Sequence, residues 1–408
     1  MGSKIRRPAF FIALLLLLVT GGATADLTIH CIDVGQGDAT LIESSSGMTL
    51  LFDGGNNGKG NSVINPYLSS LGVSNLTYMV ASHHHADHIG GLDEVYNGTG
   101  VDSACYDRGW SYTTLTYQDY ANTVAPKRQT IYDGQIIDLG DGVTVRCVAV
   151  NGNGILSTPY EQPPHNENDL CVALVVTCGE FDLIVAGDLG GYSTSSYENI
   201  ETSLAAEMDE VEVYRVNHHG SSYSSNPTFL SALSPEVSVI SVGSNSYGHP
   251  NQQAIDRIVA LDSYIYQTEL GSGGTIPPGS GEVVGGHVII ETDGISYYTV
   301  DGDEYPLGTV SVSDAGYGTP SPALLQVSPN PFCSATTFRF GLPESAQGSA
   351  IVVFDVLGRQ VRSWEVSGSG EIVWDGTNAA GSTVASGIYF CTLVRSRGAE
   401  TRKILLTR

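Results

Sequence analysis

From Asp26 onward, apolar side chains come in short runs rich in β-branched residues, each closed by Gly, Asn or Asp: Leu27 to Val34, Ala39 to Glu43, Met48 to Phe52 and Leu76 to Ala81. Such runs predict strands, because β-branched side chains pack well on a pleated surface and the closing residues tolerate turn conformations. Further runs follow at Val143 to Val150, Leu170 to Thr177, Phe181 to Ala186, Val211 to Val216 and Val237 to Val242. Helical spacing of apolar residues predicts helices near Ser62 to Leu71, Thr194 to Met208 and Gln252 to Leu261. Strands interleaved with helices define a mixed α/β region.

The pattern changes near residue 306. The segment Asp314 to Asn330 is rich in Gly, Ser and Pro and reads as a linker, expected over 306–324. From 325 to 408 every run is of strand type, which predicts a small immunoglobulin-like sandwich. At the other end, Lys4, Arg6 and Arg7 precede the apolar run Ala9 to Val19 and then Ala23-Thr24-Ala25. That is the three-part layout of a signal peptide, so residues 1–25 are expected to be removed and the mature chain to begin at Asp26. No later run approaches the ~18 apolar residues of a membrane-spanning helix. A secreted or cell-surface location follows.

Charge separates the two regions. Residues 26–305 hold seven Lys or Arg against 36 Asp or Glu, a net −29, whereas 323–408 carry a net +2. Tight binding of extended nucleic acid is therefore disfavoured, since phosphate affinity comes from Lys and Arg, although cleavage at a metal site is not excluded. The seven cysteines include no C-x-x-C pair, which argues against a cysteine zinc site and for buried thiols over a disulfide framework.

The chemistry concentrates in histidine. Ser82-His83-His84-His85-Ala86-Asp87-His88-Ile89-Gly90-Gly91 follows a predicted strand and contains H-x-H-x-D-H. Imidazole nitrogen and carboxylate oxygen both bind zinc-like metals, so four such groups on one loop can face two adjacent ions. His83 and His85 would serve one ion, Asp87 and His88 the other. A solvated His-rich turn is the plainer alternative, but the remaining donors are also present at strand ends. Asp188 follows Leu183 to Gly187 and could bridge two ions, His218-His219 follows Val211 to Val216, and Gly248-His249-Pro250 follows a later strand. Seven of the ten histidines lie in these three places. The Gly35-Gln36-Gly37-Asp38 turn lacks a P-loop lysine and reads as a tight turn that brings Asp38 toward the site.

Residues from about 26 to 300 resemble the metallo-β-lactamase superfamily, and within it the ComEC-type competence-protein branch. The matching blocks are Asp33 to Ala39, Leu51-Phe52-Asp53-Gly54-Gly55, the H-x-H-x-D-H loop, Gly187-Asp188-Leu189, His218-His219-Gly220-Ser221, Asn245 to Pro250, and Thr268-Glu269 with Gly274-Thr275-Ile276. The resemblance implies an αββα hydrolase sandwich over 26–305. It implies His83, His85, Asp87, His88 and Asp188 as metal ligands together with one of the His218/His219 pair, His218 being favoured and His219 left open. Asp53 would support the ligand loop, and His249 would touch substrate or donate a proton. Many members carry a further histidine before the bridging aspartate; that interval offers His165, with Asn166 or Asn168 as the alternatives. His30 and His287 read as structural. The terminal region resembles FlgD-like immunoglobulin or type IX secretion sorting tails through Ser328 to Phe332, Val353 to Arg359, Val373 to Gly376 and Ser386 to Phe390, implying contact with secretion machinery or the cell surface.

The expected function is a secreted hydrolase with two divalent metal ions, Zn2+ or else Mn2+, using a metal-bound hydroxide on a phosphodiester or small-molecule substrate, in the manner of a nuclease. Asp87, Asp188 and His249 are the expected catalytic residues. The alternatives are hydrolysis of another ester on the same site (a choline-phosphate ester, lactone or carboxylic ester) and a non-catalytic metal-binding surface protein.

Overall fold

The computed structural model describes residues 26–155, 166–307 and 325–407, apart from 329, 331, 341–348, 356–358, 367–369 and 395–398. The expected signal peptide, most of the expected linker and His165 lie outside the described residues. Two compact units divide the chain, Met1–Tyr305 and Pro306–Arg408.

The first six strands are β1 (Leu27–Cys31), β2 (Thr40–Ser44), β3 (Thr49–Phe52), β4 (Leu76–Val80), β5 (Val101–Asp107) and β6 (Arg128–Thr130). Next come β7 (Ile136–Asp138), β8 (Val143–Ala149), β9 (Ala173–Cys178), β10 (Phe181–Val185), β11 (Val213–Arg215), β12 (Val237–Ile240), β13 (Tyr264–Gln267) and β14 (Gly281–Val283), followed by β15 (Val288–Thr292), β16 (Tyr297–Val300) and β17 (Asp303–Pro306). One sheet runs β17-β16-β15-β1-β2-β3-β4-β5-β6 and the other β14-β13-β12-β11-β10-β9-β8-β7. Strands β3 to β6 are parallel, as are β10 to β14, so their C-terminal ends share an edge in each sheet.

Alternation along the strands decides the layering. Leu41 and Leu51 pack with Leu68, Leu92, Val95, Tyr117 and Val124 from helices, while Ile42, Leu50 and Phe52, which point the other way, are equally buried. In the second sheet Ile184, Tyr214 and Ile240 pack with Leu204, Phe229, Leu230 and Ile258 from a second group of helices. The inner faces meet, as the Phe181 and Tyr298 rings show at 5.4 Å between centroids. The order is helices, sheet, sheet, helices: an αββα sandwich. Each fully buried aliphatic or aromatic side chain of this kind contributes roughly 1.5–3 kcal/mol.

Two elements differ from the sequence expectation. The helix expected over Thr194 to Met208 is confined to Ile200–Ala205. Thr194 Oγ1 accepts the N–H groups of Ser196 and Tyr197, and Asn199 caps the helix by accepting from Thr202 N–H at 3.1 Å, so the first residues form a turn instead. The strand expected from Leu170 begins at Ala173, because Glu167–Leu170 closes into a 3₁₀ turn capped by Asn166 Oδ1.

Within the second unit, Leu325–Ser328, Thr336–Phe340 and Gly370–Trp374 form one sheet, and Gln360–Val366, Ser349–Asp355, Gly387–Val394 and Ala399–Leu406 form another. Phe338, Ile351, Val353, Trp374, Leu393 and Ile404 fill the space between them. This unit is a small all-β sandwich.

Candidate metal centre

Loops leaving the C-terminal ends of parallel strands in both sheets converge at one edge. The loop after β4 carries His83 and His85 and then turns into the short helix Ala86–Ile89, which presents Asp87 and His88. Gly91 closes this turn against the Asp53 loop, where a Cβ would stand 2.2 Å from the Gly54 carbonyl oxygen. Asp53, fully buried with φ 62°, accepts the Ser82 N–H at Oδ1 (2.7 Å) and faces His88 Nδ1 from Oδ2 (2.8 Å). A proton on His88 Nδ1 then leaves the Nε2 lone pair directed at Asp188 Oδ1, 3.1 Å away.

Asp188 follows β10 and faces both halves of the cluster. Its Oδ1 meets His88 Nε2 and His219 Nε2 (3.6 Å), and its Oδ2 meets His218 Nε2 (3.5 Å) and His83 Nε2 (3.9 Å). His85 Nδ1 lies 3.0 Å from His83 Nε2, and His219 Nε2 lies 3.5 Å from Asp87 Oδ2. Donor atoms bound tetrahedrally at about 2.0–2.2 Å stand roughly 3.3–3.6 Å apart, so this spacing suits shared ions. Burial alone would push the Asp188 carboxyl up; His218, His88 and His219 overcome it and hold Asp188 well below the ordinary carboxylate range. Burial would likewise lower His219, but Asp188 and Asp38 draw it up to about 10. Carboxylates that pull protons onto buried imidazoles make a cavity suited to cations.

His218 and His219 diverge because the chain enters the left-handed region at both, with φ 54° and 51°. Two such non-glycine residues store about 1–2 kcal/mol each. Surrounding bonds hold them there: His218 N–H donates to Gly187 O, Asn217 N–H to Tyr214 Oη, and Asn217 Nδ2 to the buried Glu201 carboxylate at 2.8 Å. His219 Nδ1 lies 3.0 Å from Ser241 O, which leaves Nε2 for the Asp87 side. The sequence expectation favoured His218 as the single late ligand; both histidines reach Asp188, and it is His219 that groups with Asp87 and His88.

Asn168 reaches the place where a further histidine was expected. Its Nδ2 lies 3.3 Å from His218 Nε2 and 3.5 Å from Asp188 Oδ2, whereas Asn166 caps the turn. Asp38 ion-pairs with the buried Arg215 of β11 and lies 3.5 Å from His219 Nδ1, tying the first sheet to the second beneath the cluster. His249 stands at 5.3 Å from the His218 ring, its backbone gripped by the Asn245 side chain, and burial beside His218 and His219 lowers it to about 4. His30 and His287 both pack on Tyr67 elsewhere.

Sequence reading missed the support of the loop. Arg108 pairs bidentately with Glu167, whose Oε1 also accepts the His84 N–H at 2.8 Å, so a buried ion pair fixes the backbone between His83 and His85. A lone Arg after a strand and a Glu in a loop gave no periodic signal.

Residues 32–244, more than half of the chain, match the model of the metallo-beta-lactamase superfamily. The chain belongs to the metallo-beta-lactamase superfamily. Residues 326–407 of this superfamily member match the secretion system C-terminal sorting domain. The chain is similar to competence protein ComA of Neisseria gonorrhoeae, 29% identical over 239 residues, covering 58% of this chain and 30% of the relative. It is also similar to ComE operon protein 3 of Bacillus subtilis, 23% identical over 292 residues, covering 64% and 36%. The chain thus spans about a third of the length of these curated relatives. Among solved structures, a diphosphatase from the PhnP family aligns at 12% identity and a TM-score of 0.35, covering 66% of this chain and 99% of that one. No helix among the described residues is long and apolar enough to cross a membrane.

Proposed function

We propose that this metallo-beta-lactamase superfamily member is an exported, metal-dependent hydrolase that cleaves phosphodiesters. The observation that carries the reading is the single Asp188 carboxylate, whose two oxygens face two separate groups of donors on the floor of a pocket of about 550 Å³. His83, His85 and His218 would hold one divalent ion with Asp188, and Asp87, His88 and His219 the other. The fit rests on buried atoms that face one another without a hydrogen bond among the described residues, including His88 Nε2, His219 Nε2 and Asp188 Oδ1, which a cation between them would satisfy. Nitrogen and oxygen donors of this kind suit Zn2+ or Mn2+.

Such ions supply activation of water and stabilisation of negative charge on the reacting phosphorus group. The protein residues keep the donors in register: Asp53 and Ser241 O fix the orientation of His88 and His219, and Arg108 with Glu167 fixes the loop. His249, lining the pocket beside His218 with an unpartnered Nδ1, would contact the substrate. The match to the secretion system C-terminal sorting domain supports a role outside the cytoplasm, at the cell surface or in the medium.

A second reading, hydrolysis of a carboxylic ester or lactone, is favoured by one feature: no Lys or Arg among the described residues lines the pocket. Parallel assays of bis-p-nitrophenyl phosphate and a lactone on metal-loaded protein separate the two. Turnover of the lactone alone would replace the phosphodiester reading.

A further inference from the structure

Around the mouth of the pocket stand aromatic rings that the proposed metal chemistry leaves unexplained. Tyr197 and Tyr223 are stacked, with centroids 5.2 Å apart and planes at 20°, and Tyr223 remains 45% exposed. Tyr247 lies nearly parallel to His249, centroids 5.7 Å apart and planes at 29°, and is 72% exposed. All four residues line the same pocket as Asp188. Large aromatic faces held open at the rim of a polar pocket lose apolar burial unless a ligand covers them. Their loops are not adventitious: Tyr197 projects from the Thr194 turn, and Tyr223 N–H donates to Ser221 Oγ beside the His218-His219 turn.

A second feature points to a ligand. Gln36 lines the pocket, and both polar atoms of its carboxamide are buried with no hydrogen-bond partner among the described residues. An amide that stays unpaired needs a partner from the occupant of the pocket.

Charge limits how large the occupant is. No Lys or Arg among the described residues lines the pocket, and residues 26–305 carry a net −29. Proteins that bind nucleic-acid strands use a groove of Lys and Arg along the backbone in addition to stacking, and no such side chain among the described residues lines this pocket. A volume of about 550 Å³ falls in the range of small-molecule sites.

Resting on the phosphodiesterase reading, we propose that the substrate is a nucleotide-sized phosphoester whose planar base is held by Tyr223 and Tyr247 while its phosphate reaches the Asp188 cluster. Stacking replaces backbone electrostatics as the source of affinity. Recognition is then tolerant of base identity, because every base presents a π-face.

The test is isothermal titration of the full metal-loaded chain with thymidine 5′-monophosphate and, as the base-free control, ribose 5-phosphate. The nucleotide should bind about tenfold tighter than the sugar phosphate, the gain expected of one stacked base. Tyr223→Ala and Tyr247→Ala should each weaken the nucleotide at least fivefold and leave ribose 5-phosphate within twofold, while Tyr223→Phe and Tyr247→Phe retain the preference, since the ring and not the hydroxyl is required. Equal affinity for the two ligands, or alanine variants that bind both as the wild type does, would overturn the proposal. So would a single-stranded oligonucleotide that binds far tighter than the mononucleotide with a steep salt dependence. Base-dependent binding without any phosphodiester turnover would sustain the stacking site and sink the phosphodiesterase reading instead.

Discussion

Asp53 Oδ2 and His88 Nδ1 stand 2.8 Å apart, and neither residue is exposed to solvent. The other Asp53 oxygen accepts the Ser82 N–H, so one carboxylate fixes both the start of the ligand loop and the orientation of a ligand ring. Replacing it by Asn keeps the volume and one acceptor but weakens the hold on the His88 tautomer. Asp53→Asn should lower metal affinity by about 10–100-fold with the fold retained. Competition titration against a chelator reads the affinity, and circular dichroism reads the fold.

The late histidines separate by position. His218 faces Asp188 Oδ2 and Asn168, and His219 faces Asp87 and Asp188 Oδ1. His218→Ala and His219→Ala should each release one of two bound ions and keep the other. If His219→Ala left both ions bound at wild-type affinity, the assignment of His219 to the Asp87 group would be wrong.

Glu201 is the anchor of the left-handed turn. Its carboxylate accepts the N–H groups of Ser225 and Asn226, both at 2.7 Å, as well as Asn217 Nδ2. Truncation to Ala leaves these buried donors unpaired, at about 1–3 kcal/mol each. Glu201→Ala should therefore destabilise the first unit by several kcal/mol, on the order of three such penalties at the low end of that range, and chemical denaturation followed by circular dichroism measures it.

Glu212 carries a pH dependence of known sign. Burial pushes its carboxyl up from 4.5 to about 7, opposed by the Asp182 N–H that it accepts. A raised folded-state value means that its stabilising effect is full below about 4.5 and lost as the pH rises through about 7. Glu212→Gln removes that loss. The variant should be more stable than the wild type at pH 8 by on the order of 1 kcal/mol after allowing for solvent screening, with the difference shrinking toward zero near the lower value. Calorimetry across pH 4.5–8 follows it; a constant difference would contradict the assignment.

Much of this architecture was legible because period and punctuation carried it. Alternating β-branched runs located Leu27–Cys31, Phe181–Val185 and Val237–Ile240 within a few residues. Histidine spacing pointed to the cluster because one loop cannot complete two coordination shells alone. What escaped was non-periodic. The Thr194 turn overrode a helical pattern through side-chain hydrogen bonds, and Arg108, Glu167 and Glu201 act through single long-range contacts that no local window contains. The divergence of His218 from His219 depends on two positive φ angles, which residue type does not announce.

In the proposed hydrolytic site Asp188 joins two ion-binding groups. The most direct measurement is the metal content of the purified full chain, taken with its hydrolysis of bis-p-nitrophenyl phosphate, for the wild type, Asp188→Ala and His85→Ala. The wild type should hold two ions per chain and turn over, Asp188→Ala should lose both ions and turnover, and His85→Ala should lose turnover with one ion weakened. A wild-type protein that binds no metal, or an Asp188→Ala variant that keeps its ions and its turnover, would contradict the proposed site.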